Sequence, residues 1–489
     1  VAVNELPRSI REAAELLRNK RASALELAEA ALTRAHADRL NTWLYLDDGY
    51  ARGQARAADA RLRSGDAPLL CGIPWACKDI IGTRAIPTTA GSKILEGYVP
   101  AYSATVVERL DAQGAVMLGK TNLDEFAMGS SNENSAFGPV KNPWCADRVP
   151  GGSSGGSAVA VAAGEALFAL GTDTGGSIRQ PAALTGVVGM KPTYGRVPRW
   201  GVVAFASSLD QVGPFANTVE DAAIVCEAIF GKDPNDATMV EEFPNDDLRR
   251  DLDAGVKGMR LGVPKEYFAV KGMEPGVERA VREALAVFEK LGAKLEEVSL
   301  SLTDHGLAVY YIIQPAEASA NLARYDGVRY GMRVEGPDLI ETYRRTRGKG
   351  FGPEVKRRMI LGTYALSAGY YDAYYVKAQK VRTLIKAEYD RVFEKVDALL
   401  TPTSPTVAFP IGAKVNDPLA MYLNDVFTLP VNIAGLPGIS VPCGLSEGLP
   451  VGLQIVANSY RERTMFRVAA AYERATPHHL ARPREAVAA

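Results

Sequence analysis

Along the chain, Ser9-x-x-Glu12 and Ser23-x-x-Glu26 each look like a capping box, and each opens a run of apolar residues at helical intervals. In the second run Ala24, Leu27, Ala28, Ala31, Leu32 and Ala35 form one stripe, which predicts an amphipathic helix. From about 68 to 215 the pattern changes to short apolar runs such as GAVMLG and LFALGTD, separated by Gly, Ser and Pro clusters and by Ala-rich helical stretches. That alternation predicts an α/β sheet. A polar stretch at about 231–258, with Asp and Pro repeated, reads as a loop or small insertion. Beyond it Val277, Ala280, Val281, Ala284, Leu285, Phe288 and Leu291 make a second helical stripe, with Gly292 placed to end it. A Tyr- and Arg-rich helical region runs to about Phe393, and strand-like runs return at DALLTPT and LPGISVPCG. There is no internal repeat. Because the carboxy-terminal segment returns to the core pattern, one large α/β domain at 61–480 with a helical amino-terminal extension at 1–60 is favoured over several independent domains.

Composition narrows the function classes. Lys plus Arg is 56 and Asp plus Glu is 57, so the net charge of −1 leaves no basic excess to release counterions from nucleic acid. The apolar stretch near 158–170 is broken by Gly164 and Glu165 and is too short to span a membrane. Glu5, Glu12 and Glu15 interrupt the amino terminus before a signal-peptide core forms, so secretion is not indicated. Five scattered cysteines without a C-x-x-C pair suggest neither a disulfide framework nor a zinc site, and a reducing cytoplasm fits best.

Gly114 to Thr121 matches the G-x-x-x-x-G-K-[ST] pattern of a phosphate-binding loop. A phosphate cradle needs a bent, exposed backbone, whereas Ala115, Val116, Met117 and Leu118 read as a buried strand, so the match is treated as accidental. His36, His305, His478 and His479 lie far from any Gly-Ser turn, which gives a Ser-His-Asp triad little to build on. Cys77 lacks a His partner and reads as core filling.

The informative stretch is Gly151-Gly-Ser-Ser-Gly-Gly-Ser157, then AVAVAAGEALFALG, then Thr172-Asp-Thr-Gly-Gly-Ser177. A flexible linker would not abut an apolar run that must be buried. In the second turn Gly175 and Gly176 permit backbone angles that let successive N–H groups converge, as an oxyanion hole requires, with Ser177 beside them. A serine nucleophile needs a base. Lys78, inside the apolar run GIPWACKDII, is a candidate for a lysine held neutral by burial, and a structural salt bridge to Asp79 or Asp173 is the alternative.

Lys78, GGSSGGSAVAVAAG and GTDTGGSIRQPAALTGVVGMKPTYGRVP together resemble the amidase signature family. Further stretches, TNLDEFAMGSSNENSAFGPVKNPW, FASSLDQVGPFANTVEDAA and GTYALSAGYYDAYYVKAQKVRTLI, are similar to its tRNA-dependent amidotransferase branch, and the resemblance runs from about Ser9 to Ala470. It implies an α/β amidase signature fold, a large mixed sheet covered by helices on both faces. It also implies a Ser-Ser-Lys triad with Ser177 as nucleophile, Ser153 as bridging serine after a cis peptide bond, and Lys78 as base. Backbone N–H groups of Thr174, Gly175, Gly176 and Ser177 would hold the oxyanion. The resemblance further implies glutamine as substrate, held by Arg358, Asp425 and Tyr310, although Arg357 and Tyr311 adjoin two of these. Partner B and C subunits of a heterotrimer would complete the enzyme, with ATP, magnesium and most contacts to aminoacyl-tRNA belonging to them and no cofactor in this chain. A stand-alone amidase for a small amide is the alternative. One departure is Ile80, where many members carry a polar residue two places after the lysine.

Overall fold

The computed structural model describes residues 6–65, 67–240, 247–270 and 272–483, so 241–246 of the polar stretch lie outside it. Its strands are β1 (Trp43–Leu46), β2 (Pro74–Lys78), β3 (Val116–Thr121), β4 (Phe168–Asp173), β5 (Val188–Lys191), β6 (Gln211–Ala216), β7 (Arg260–Pro264), β8 (Lys294–Val298), β9 (Ala398–Pro402), β10 (Gly438–Ser446) and β11 (Leu449–Val456). All eleven join one mixed sheet in the order β1-β3-β2-β4-β6-β5-β10-β11-β9-β7-β8. The parallel pairs form two groups, β3–β2–β4 toward one end and β9–β7–β8 at the other, with antiparallel pairs between them. The predicted α/β class is what forms, and the four strand-like runs become β3, β4, β9 and β10.

Two hydrophobic cores flank the sheet. In β9, Leu399 belongs to one core and its neighbours Ala398 and Leu400 to the other, as the two-residue alternation of a strand requires. The helix Ala24–His36 buries every member of its predicted stripe, and Ser23 and Glu26 form the full reciprocal capping box. The helix Ile10–Arg18 is capped by Ser9, but Glu12 turns its carboxylate to the Arg8 amide, so only half of that box exists. Residues 6–60 contribute β1 to the sheet edge as well as helices, since β1 pairs antiparallel with β3. The helix Pro275–Lys290 buries its predicted stripe through Phe288 and ends before Gly292, which takes φ +85°. Within the polar stretch, Leu248, Leu252 and Val256 reach the second core and anchor the connection.

The phosphate-loop match is resolved by burial. Lys120 lies wholly inside on β3, where its Nζ donates to the Ile81 carbonyl at 2.5 Å and to Thr88 at 3.0 Å, and stands 3.6 Å from Asp79. Asp79 is buried in turn and accepts from the Thr89 amide at 2.8 Å. A lysine spent on a buried carboxylate is not free to meet phosphate.

Replacing Lys120 by Met leaves Asp79 buried without its cation and is expected to lower stability by about 3–5 kcal/mol. Denaturant unfolding reads this directly, and an unchanged midpoint would show that the pair contributes nothing.

Candidate active site

The site is assembled at the carboxyl ends of two adjacent parallel strands, where α/β sheets open their ligand crevices. β2 ends at Lys78 and β4 at Asp173, and the register sets Cys77 opposite Leu170. The segment leaving β4 turns through 174–178 into the helix Arg179–Thr185, and Ser153 and Ser154 sit just before the fully buried helix Gly155–Ala162. Both glycine-serine turns therefore reach the same strand ends. The Gly152–Ser153 peptide is cis.

Lys78 is wholly buried, and its Nζ lies 2.8 Å from Ser153 Oγ, 2.7 Å from Ser154 Oγ and 2.8 Å from Thr172 Oγ1. The salt bridges weighed as its alternative role go elsewhere: Asp79 faces Lys120 and Asp173 faces Arg179. Burial pulls the ammonium down to about 7, while the charges of Asp124, Asp173 and Asp210 oppose this without prevailing. Ser154 donates its own proton to the Thr172 carbonyl at 3.1 Å, so it only accepts from Lys78. The lone pair of a neutral Lys78 is thereby left to Ser153 or Thr172. Cys77, next door, is inert, because burial pushes its thiol up to about 11.

Ser177 is 7% exposed, whereas Ser153 and Lys78 are at 0%, so of the three only Ser177 is open to the outside. Gly176 takes φ +149°, a conformation that side chains rarely adopt. Among the described residues, none of the four N–H groups from Thr174 to Ser177 meets a protein acceptor, while the Gly175 carbonyl is taken by Thr428 Oγ1 at 2.7 Å. A buried pair brackets this turn. Arg179 binds Asp173 through two nitrogens, at 3.0 and 3.1 Å, and reaches Gln454 at 2.6 Å, and Asn432 donates to Asp173 at 2.9 Å. Thr174 Oγ1 donates to the buried Asp210 at 2.7 Å.

Tyr310 and Asp425 both border the glycine turn. A Cβ added at Gly175 would stand 2.8 Å from the Tyr310 hydroxyl, and one at Gly176 2.9 Å from Asp425 Oδ1. Ser130 donates to Asp425 Oδ2, but Oδ1 is buried without a hydrogen-bond partner, and burial pushes this carboxyl up to about 7. Arg358 is buried, with its Nε donating to Glu354 at 2.8 Å and Nη1 to Gln314 Oε1 at 3.0 Å. Since Gln314 must turn its oxygen toward the guanidinium, its amide nitrogen is left without a partner. Neighbours that spacing could not separate now differ: the Arg357 side chain is 45% exposed against 3% for Arg358. Tyr311 stacks on Tyr422 at 3.9 Å between ring centres and carries Arg358 over its ring at 5.2 Å, whereas Tyr310 borders Gly175.

Sequence reasoning missed Ser154, Thr172 and Gln314. The doubled serine in GGSSGG was a visible sign of the first; the other two carry none, because their partners lie 94 and 44 residues away. Ile80 packs in the core and makes no polar contact with Lys78.

The Amidase family model matches residues 26–466. The A subunit of glutamyl-tRNA(Gln) amidotransferase from Roseiflexus castenholzii is 59% identical over 477 residues, 97% of each chain. Its counterpart from Moorella thermoacetica is 57% identical over 480 residues, 98% of each. Among solved structures, the A subunit of the same enzyme from Thermotoga maritima is 44% identical with a TM-score of 0.79, covering 97% of this chain and 95% of that one. The native peptide amidase of Stenotrophomonas maltophilia is 32% identical with a TM-score of 0.82, covering 97% and 98%. A family match over most of the chain, and identity above one half along nearly all of it, make this chain a member of the amidase signature family of enzymes.

Proposed function

We propose that this chain is the glutaminase of a tRNA-dependent amidotransferase, working through Lys78, Ser153 and Ser177. The observation that carries the chemistry is the contact between Ser153 and a buried Lys78 of lowered pKa, with Ser177 in the turn that leaves β4, where the N–H groups of Thr174 to Ser177 meet no protein acceptor among the described residues. Neutral Lys78 accepts a proton from Ser153, which takes one from Ser177 as its Oγ attacks the side-chain amide carbon of glutamine. The N–H groups of Thr174 to Ser177 receive the negative charge on the carbonyl oxygen. Collapse returns a proton to the departing nitrogen, releases ammonia and leaves a glutamyl ester on Ser177. Water then attacks that ester and frees glutamate.

Two buried, unpartnered polar atoms support glutamine over a simple amide. Asp425 Oδ1 is an acceptor suited to an α-ammonium, and the Gln314 amide nitrogen, beside Arg358, is a donor suited to an α-carboxylate. The relatives at 57–59% identity are named as A subunits of glutamyl-tRNA(Gln) amidotransferase, whereas the peptide amidase is 32% identical. On this reading B and C subunits complete a cytoplasmic heterotrimer, supply the ATP and magnesium chemistry and contact aminoacyl-tRNA. A stand-alone amidase would leave both orphan atoms without purpose.

Ammonia release from glutamine is expected to fall by at least about a thousandfold in each of Ser177→Ala, Ser153→Ala and Lys78→Ala. Full activity in Ser177→Ala would remove the nucleophile from the scheme, and ATP-dependent amidation of tRNA by the isolated chain would remove the partners.

Lys78 must be neutral to accept a proton, so it works above its pKa. The value of kcat should therefore fall about tenfold per pH unit below about 7 and level off above it. Asp425 ionises in the same region and must be charged to hold an ammonium, so KM should rise as pH falls through about 7. A kcat that stays flat across about pH 5–8 would contradict the assigned base.

A further inference from the structure

Asp124 and Glu125 are adjacent in sequence and face different parts of the site. The Asp124 amide donates to the Ser153 carbonyl at 3.1 Å, and its carboxylate accepts from the amides of Asn132 at 2.9 Å and Asn134 at 3.0 Å. This residue clamps the bridging serine to the loop that carries Ser130, and Ser130 in turn holds Asp425. Glu125 reaches the other way. One carboxylate oxygen accepts from Ser92 Oγ and the other from the Gly352 amide at 2.8 Å. Gly352 is the N-cap of the helix Pro353–Leu366, whose second turn bears Arg358.

Several features mark this contact as more than filling. Glu125 is buried and makes no ion pair among the described residues, so an apolar side chain would meet the needs of packing alone. A Cβ at Gly352 would run into its carboxylate, and one at Gly350 would stand 3.0 Å from Ile94, so the chain comes close on both sides of Phe351. Phe126 closes the junction, with ring centres 5.0 Å from Tyr325 and 5.6 Å from Phe351. The carboxylate also lies at the amino-terminal end of the helix, where negative charge is favourable.

Resting on the reading that Arg358 holds the α-carboxylate of glutamine, we propose that Glu125 is a positioning and specificity-determining residue. It fixes the span between the Ser177–Ser153–Lys78 centre and Arg358 at the length of glutamine. A fixed span discriminates against asparagine, which is one methylene shorter and cannot seat its amide at Ser177 while its carboxylate reaches Arg358. One methylene is typically worth about 10–200-fold in kcat/KM.

The test compares ammonia release from glutamine and from asparagine by the full chain with its partner subunits, in wild type, Glu125→Ala, Glu125→Gln and Ser92→Ala. Glu125→Ala frees the helix end and is expected to raise KM for glutamine about tenfold with kcat within about threefold, lowering the glutamine-to-asparagine ratio of kcat/KM by a similar factor. Glu125→Gln can still accept from Gly352 and donate to Ser92, and should keep both values within about threefold of wild type. Ser92→Ala removes one of the two donors and should shift the ratio the same way by less, which decides the matter if Glu125→Ala does not fold. Equal losses on both substrates, or a loss in kcat alone, would reduce Glu125 to a structural residue and overturn the inference. A wild type inert on glutamine would instead overturn the functional reading, and this inference with it.

Discussion

The buried ion pair of Asp173 and Arg179 is the constraint on which the site depends. Desolvation alone would push the Asp173 carboxyl up, yet Arg179 holds it below the usual carboxylate range. Two charges in a dry interior are tolerated only when geometry and further hydrogen bonds satisfy them, and here Gln454 and Asn432 complete the set. The pair spans from the last residue of β4 to the first residue of the following helix, so the segment 174–178 between them is a loop closed at both ends. Within such a loop the N–H groups can remain uncommitted to the protein without the backbone collapsing on itself, which is the preorganisation an oxyanion needs.

The same logic explains how Lys78, the base on the proposed reading, escapes a salt bridge. A carboxylate within bonding distance would hold Lys78 protonated, and this interior has several. Asp79 is taken by Lys120 and Asp173 by Arg179, while Asp124 and Asp210 are committed to backbone amides and Thr174. Lys78 meets hydroxyl groups instead, which can donate or accept as its protonation changes. Holding the neighbouring acids on other partners thus matters to the state of Lys78 as much as its burial does.

What was legible in the sequence follows from the range of the interactions concerned. The Ser23 capping box and the stripes of the helices at 24–36 and 275–290 are contacts within a few residues, and the pattern displays them. The half-formed box at Ser9 was misread because Arg8 competes for Glu12, a choice decided by local geometry and not by spacing. Of the two glycines before Ser177, Gly176 takes a backbone conformation that suits glycine, whereas Gly175 has no such angle and excludes a side chain because a Cβ there would meet Leu429 and Tyr310, contacts the sequence does not display. The placements of Lys120 opposite Asp79, of Thr172 beside Lys78 and of Gln314 against Arg358 depend on strand register and helix packing across dozens of residues. Periodicity has no access to these. The ambiguity between Arg357 and Arg358 has the same origin, since adjacent positions on a helix differ by about 100° in direction and only the packed neighbour decides which one is inside.

An open sheet of eleven strands has two free edges, and an unpaired edge is a template for another strand. At one edge β1 has only four residues and pairs with an irregular register, so it offers a short and uneven ladder. At the other, β8 reads KLEEV and presents Lys294, Glu296 and Glu297 along five residues. An incoming strand there would have to desolvate charges of both signs, which protects a long sheet from joining edge to edge with its own copies during folding.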